Sequence, residues 1–227
     1  QLHLPAQSGS NAVLERMRRG YTREAYLDLV GRARAIIGPD LSISSDFIAG
    51  FCGETEEEHR STVDLIRTVG FDQAYLFAYS LRERTHAAYH LQDDVPSEVK
   101  ARRLQELINT WRTDVTERNM AVELRENEPD GGRVHVVLVD GEARRNKAMA
   151  MSATGPDAKH VPEFAAVTGR TDSNKRIVFR VPKGQGEDVL IRPGDYALVR
   201  VSAVTGHTLR GEYVSRSGLV GEGALQR

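Results

Sequence analysis

Residues 41–58, LSISSDFIAGFCGETEEE, decide the fold of the first half of this chain. The run from Ile43 to Ala49 fits a buried strand, broken at Gly50 and Gly53, and Thr55 is placed to cap an acidic helix start. A strand that ends in glycines and feeds a helix leaves bare backbone N–H groups at the carboxyl edge of a sheet. Ligands bind at that edge in α/β proteins. Glu54, at the mouth of the turn, is placed to accept hydrogen bonds from a ribose, an amine or an adenine.

Working outward, the first half alternates short strands with amphipathic helices. Leu2 to Ala6 reads as a strand end. Ser10 caps a short helix with Val13, Leu14 and Met17, and Thr22 opens a second with Tyr26, Leu27, Val30, Ala33 and Ile37 on one face. A helix from Thr55 to Val69 follows, then a further buried strand over Ala74 to Tyr79. Strands separated by helices imply parallel βαβ units, and about three strands are too few to close an eight-stranded barrel. Pro96 opens a long helix with Val99, Leu104, Leu107, Ile108, Trp111 and Val115 as a core stripe. Glu128-Pro129-Asp130-Gly131-Gly132 marks the domain boundary.

Beyond it come five β-prone runs: Val134–Val139, Ala165–Thr168, Ile177–Arg180, Tyr196–Val204 and Thr208–Val214. Five short strands in about 90 residues predict a small closed β-barrel, with 142–163 as a loop insertion. The charge divides at the same boundary. Residues 1–131 hold 16 Lys and Arg against 22 Asp and Glu, whereas residues 132–227 hold 15 against 10. The basic half is the one expected to meet a polyanion.

Three loops converge on one predicted sheet edge: Gln7 to Ser10, Ser45-Asp46 with Gly50 to Glu54, and Tyr79 to Arg82. Together they predict a small-molecule pocket. Arg16, Arg18 and Arg19 form a charge run whose usual outcome is a solvated helix face; the alternative is that Arg19, ending the short helix, holds a carboxylate by a forked contact. In the second half, Arg170, Asn174, Lys175 and Arg176 sit on a turn, and Arg200, Thr208 and Arg210 on the last strands. These are groups that contact phosphates. Aromatic side chains are few beside them, so base stacking is not favoured. Cys52 is the single cysteine of 227 residues, too few for a disulfide framework or a metal cluster. The histidines show no metal-ligand spacing, and no catalytic residue is assigned. No apolar run approaches the ~18 residues of a membrane helix, and no membrane partner is expected. The abrupt start at Gln1 reads as the middle of an element, so the chain is expected to be a fragment, and no transit peptide is seen.

The series His3-Leu4-Pro5-Ala6-Gln7-Ser8-Gly9-Ser10, Leu14 to Glu24, Ser44 to Glu57 and Phe77 to Arg82 resembles the radical S-adenosylmethionine methylthiotransferases. Gly169-Arg170-Thr171 through Thr208-Leu209-Arg210-Gly211-Glu212 resembles their RNA-binding TRAM barrel. Within the family the chain is most similar to the MiaB-type branch and its eukaryotic mitochondrial members. The resemblance implies an α/β chain: the C-terminal portion of a partial (β/α) radical-SAM barrel (1–95), a connecting helix (96–128), a TRAM barrel (132–215) and a tail (216–227).

It further implies 2-methylthiolation of N6-isopentenyladenosine beside the anticodon, with the tRNA anticodon stem-loop as partner and the mitochondrion as location. The implied cofactors are S-adenosylmethionine and two [4Fe–4S] clusters in the full-length protein. By family position Gln7, Arg19, Ser45, Asp46, Gly50, Gly53 and Glu54 line the S-adenosylmethionine pocket. The cluster-binding cysteines are absent, and Cys52 stands where proline is common, so no metal ligand is assigned and the fragment alone is expected to be inactive. The alternative is a non-catalytic truncated protein that binds RNA or a kinase regulator.

Overall fold

A computed structural model describes residues 1–124, 132–143, 164–182 and 191–218. It divides the chain into two compact units, Gln1–Val115 and Thr116–Arg227. The boundary falls within a helix. The linker expected at 128–132 lies outside the described residues except for Gly132, as do nearly all of the 142–163 insertion and most of the tail.

In the first unit, β1 (Leu2–His3), β2 (Ile43–Ala49) and β3 (Gln73–Ala78) form a parallel sheet in that order. Local sequence explains the connecting helices. Ser10 caps α1 (Asn11–Arg16) by accepting from Val13 N–H, and Thr22 caps α2 (Arg23–Ile37) through Ala25 N–H. Thr55 and Glu58 form a reciprocal capping box at the start of α3 (Glu56–Val69), which ends on left-handed Gly70. A short α4 (His86–His90) precedes α5 (Ser97–Glu123).

One sheet face is covered. Ile43, Phe47 and Ala49 of β2 pack with Val30 of α2, Leu65 and Ile66 of α3, and Leu107, Trp111 and Val115 of α5. Gly9 lets the loop after β1 lie against α3, since a Cβ there would stand 2.2 Å from the Ser61 carbonyl oxygen. The other face behaves differently from expectation. Tyr75 and Phe77 of β3 are about half exposed (49% and 53%), so this strand is not buried. Their register partners Asp46 and Ile48 share that face, and no described element covers it.

In the second unit, β4 (Val134–Glu142), β5 (Phe164–Thr171), β6 (Arg176–Pro182), β7 (Tyr196–Thr205) and β8 (Thr208–Ser217) close a barrel in the order β4-β5-β6-β8-β7. Alternation fills its interior with Val137, Val139, Ile177, Phe179, Val199, Val201 and Leu209. Among the described residues no helix is long and apolar enough to cross a membrane.

Candidate functional site

At the carboxyl ends of β2 and β3 a cavity of about 180 Å³ is lined by Arg19, Ile48, Phe51, Tyr79, Arg82 and His86, among others. It is smaller than the ~300–1,000 Å³ of a complete small-molecule pocket. Its lining combines apolar and aromatic side chains with the guanidinium groups of Arg16, Arg19 and Arg82. Phe51 meets Tyr79 edge to face at 4.8 Å. Burial pushes the Tyr79 phenol up to about 12, so it stays neutral. Arg19 and Arg82 are exposed, and their guanidinium groups suit a carboxylate. A larger hollow of about 520 Å³ beside α3 is lined by Arg23, Glu57, Arg60, Ser61 and Asp64. It lies away from the strand ends, and its Arg23 is already committed to Asp64 and to the Ser61 carbonyl.

The expected pocket residues are distributed unevenly. Gln7 sits beside the strand end in a left-handed conformation (φ 66°); its N–H bonds the Asp46 carbonyl and its carbonyl accepts from Ile48 N–H. Asp46 stands on the uncovered face, 3.5 Å from His3 Nε2. Ser45 points the other way: it is fully buried and its hydroxyl accepts from Ala6 N–H at 2.9 Å. Period-two geometry allows only one of two adjacent strand residues to face the site.

The glycine turn departs most from its sequence reading. Gly50 and Gly53 do take positive φ (76° and 68°). Their N–H groups are not bare, however. Gly50 N–H donates to Glu54 Oε2 and Gly53 N–H to Asp94 Oδ1, each at 2.7 Å, and Thr55 N–H donates to Glu58 Oε2. Carboxylates of the chain occupy the donors an anionic ligand would use.

Glu54 itself is buried, with its side chain 1% exposed against Arg103 at 3.0 Å. Burial pushes its carboxyl up, opposed by the Gly50 N–H and Arg103. Arg16 braces the same turn by a fork to Glu58 and bonds to the carbonyls of Cys52 and Gly53. Burial raises the Glu58 carboxyl, but Arg16 and the Thr55 N–H outweigh it and hold the group low.

On the barrel, the Thr171–Arg176 hairpin turns at Asn174 (φ 62°). Arg170 pairs across strands with Arg176, Arg176 with Thr208, and Glu212 with both Arg180 and Arg200. These partners share the outer face with Arg210, whose Nε bonds Thr205. Lys175 is set apart: its ammonium donates to buried Glu123 at 2.8 Å. Two cationic groups were missed by sequence reasoning. Arg180 was legible as Arg176 plus four on an alternating strand. Arg103 was not, because its partners lie nearly fifty residues away.

Among the described residues no group of three or more His, Cys, Asp or Glu is placed to hold a metal ion. Cys52, the chain's single cysteine, is buried (2% exposed) against Val13 and Phe51. These residues do not fit an iron–sulfur cluster, which needs several thiolates.

Residues 1–66 match the Radical SAM superfamily. Over 96% of its length the chain is 45% identical to the mitochondrial tRNA methylthiotransferase of Homo sapiens and 42% identical to that of Mus musculus, covering 33% of each. It is 39% identical over 94% of its length to the tRNA-2-methylthio-N(6)-dimethylallyladenosine synthase of Chlorobaculum tepidum, covering 40% of that protein. The chain therefore spans about a third of the length of these mitochondrial relatives.

Proposed function

Because the chain belongs to the radical S-adenosylmethionine methylthiotransferase family, we propose that it is the carboxyl-terminal part of a tRNA methylthiotransferase. Its substrate is N6-isopentenyladenosine beside the anticodon, and its product the 2-methylthio derivative. The first unit is the last section of a partial (β/α) barrel, and the second is a TRAM-type barrel that binds the anticodon stem-loop. The proposed segments are 1–95, 96–128, 132–215 and 216–227. The mitochondrial names of several relatives support a mitochondrial location.

The observation that carries this reading is the cavity at the strand ends, whose lining joins the exposed guanidinium groups of Arg19 and Arg82 to the aromatic rings of Phe51 and Tyr79. S-adenosylmethionine has matching parts: a carboxylate for Arg19 or Arg82, and an adenine for the apolar wall of Ile48, Phe51 and Tyr79. Gln7, Asp46, Gly50 and Gly53 complete the surrounding edge, with Ser45 and Glu54 behind it. When bound, the cofactor supplies the radical and methyl-transfer chemistry. The thiolates of any cluster come from residues outside this chain, since Cys52 cannot replace them. The 227-residue chain alone is accordingly inactive.

On the barrel, Arg170, Arg176, Arg180, Arg200 and Arg210, with Asn174 and Thr208, form the phosphate-contacting face. Lys175 contributes through the fold.

The test is equilibrium binding of S-adenosylmethionine and of tRNA to the full-length protein reconstituted with iron and sulfide. Wild type binds both, and Arg19→Ala loses S-adenosylmethionine affinity while keeping tRNA affinity. A protein that binds tRNA or a kinase regulator but never S-adenosylmethionine would instead be the non-catalytic alternative.

A further inference from the structure

The turn that shapes the cavity is held from beneath by α5. Arg103 is 4% exposed, and its Nη1 donates to both the carbonyl oxygen and Oε2 of Glu54, at 2.9 and 3.0 Å. Its Nε and Nη2 donate to Glu56 Oε1 at 3.1 and 2.7 Å. One fork thus ties the last residue of the turn to the first turn of α3. Glu54 uses the same Oε2 to accept Gly50 N–H at 2.7 Å. Lys100, one helical turn before Arg103, fills the space beside Gly50: a Cβ on that glycine would stand 2.4 Å from Lys100 Cγ. Asp94, just ahead of α5, takes Gly53 N–H.

Neither member of the pair reaches the cavity. Both side chains are almost wholly buried (4% and 1% exposed), and neither lines it, while Ile48 and Phe51, flanking Gly50, do. Stability alone is a poor reason for such a pair. Burying two charges costs desolvation, and an apolar pair of similar volume is often as stable. What the guanidinium adds is geometry, because its planar fork sets several acceptors relative to one another where an ammonium cannot.

We infer that Arg103 is a positioning residue for the cofactor site. It orients Glu54, Glu54 holds Gly50 N–H, and Gly50 fixes where Ile48 and Phe51 meet the bound molecule. This rests on reading the cavity as the S-adenosylmethionine site, and it moves Glu54 from a ligand contact to a support.

The experiment uses the cluster-reconstituted full-length protein and its Arg103→Lys, Arg103→Met and Glu54→Gln variants. Three quantities are measured: S-adenosylmethionine affinity, tRNA affinity and melting temperature. Hydrogen exchange at the Gly50 amide is followed in parallel. Arg103→Lys keeps the charge and the fold but loses the fork. Its expected result is roughly tenfold weaker S-adenosylmethionine binding, the size of one charge-assisted hydrogen bond. Its Gly50 exchange is faster, and tRNA affinity is unchanged. Arg103→Met and Glu54→Gln weaken cofactor binding at least as much. Unchanged cofactor affinity in a folded Arg103→Lys protein overturns the inference. So does unchanged Gly50 exchange, even if the other two variants fail to fold. A wild-type protein that binds no S-adenosylmethionine overturns the functional reading itself, a distinguishable failure.

Discussion

His135 Nε2 lies 2.6 Å from Glu123 Oε2, with both side chains buried at the join between the last turn of α5 and the barrel strand β4. Lys175 closes the group by donating to the other carboxylate oxygen at 2.8 Å. One helix and two barrel segments are tied at a single buried carboxylate, which Arg133 N–H reinforces by bonding the Glu123 carbonyl.

That carboxylate makes the barrel unit acid-sensitive. Burial alone would raise its pKa, but hydrogen bonds and charge from His135 and Lys175 bring it down to about 2 from an ordinary 4.5. A pKa lowered on folding gives stability that is present above about 4.5 and lost as pH falls towards 2. The shift corresponds to about 3 kcal/mol. Denaturant unfolding at pH 7 and pH 3 should show about 2 kcal/mol of this loss, because at pH 3 the folded carboxyl is still mostly ionised, and Glu123→Gln should remove that part of the pH dependence. A Glu123→Gln protein with the full wild-type pH dependence would contradict this assignment.

Much of the local architecture was legible because it is local. The caps at Ser10, Thr22 and Thr55 act over three residues, and the barrel strands announce themselves by alternation and by turns such as Thr205-Gly206-His207. What the sequence left open depends on distance or on face. Ile43–Ala49 has small, polar and apolar residues in both phases, so nothing local reveals that Asp46 faces the uncovered side and Ser45 the core. The Gly53 donor is taken by Asp94, 41 residues on, and Glu54 by Arg103, 49 residues on. A glycine turn read alone therefore suggests open donors where the fold has already filled them.

Gly9 is required by space. A Cβ 2.2 Å from the Ser61 carbonyl oxygen meets backbone, which cannot rotate away. Gly9→Ala should cost roughly 1–3 kcal/mol, the usual range for overpacking. Thermal or denaturant melts of the first unit measure it, and an unchanged midpoint would show that the loop moves freely off α3.

Gly50→Ala should act on binding more than on folding. Its φ of 76° disfavours a side chain, and the colliding atom, Lys100 Cγ, belongs to a flexible side chain. The expected outcome is a folded full-length protein with weakened S-adenosylmethionine binding, measured by titration. Wild-type affinity would separate this turn from the cofactor site.

The barrel arginines should behave as phosphate contacts. Removing Arg176 or Arg180 should weaken tRNA binding and lower the slope of log affinity against log salt by about 0.7–0.9 each. Lys175→Ala should instead lower barrel stability, because it leaves Glu123 short of a partner. Binding titrations across a salt series separate the two behaviours. Equal slopes for wild type and Arg176→Ala would remove that residue from the interface.

The most direct measurement is made on product. The full-length protein, reconstituted with iron and sulfide, is incubated under reducing conditions with S-adenosylmethionine and tRNA carrying N6-isopentenyladenosine, and the digested nucleosides are resolved by mass spectrometry. The account predicts the 2-methylthio derivative from wild type and a strongly reduced yield from Arg19→Ala. Unchanged N6-isopentenyladenosine, from wild-type protein shown to bind both tRNA and cofactor, would contradict it.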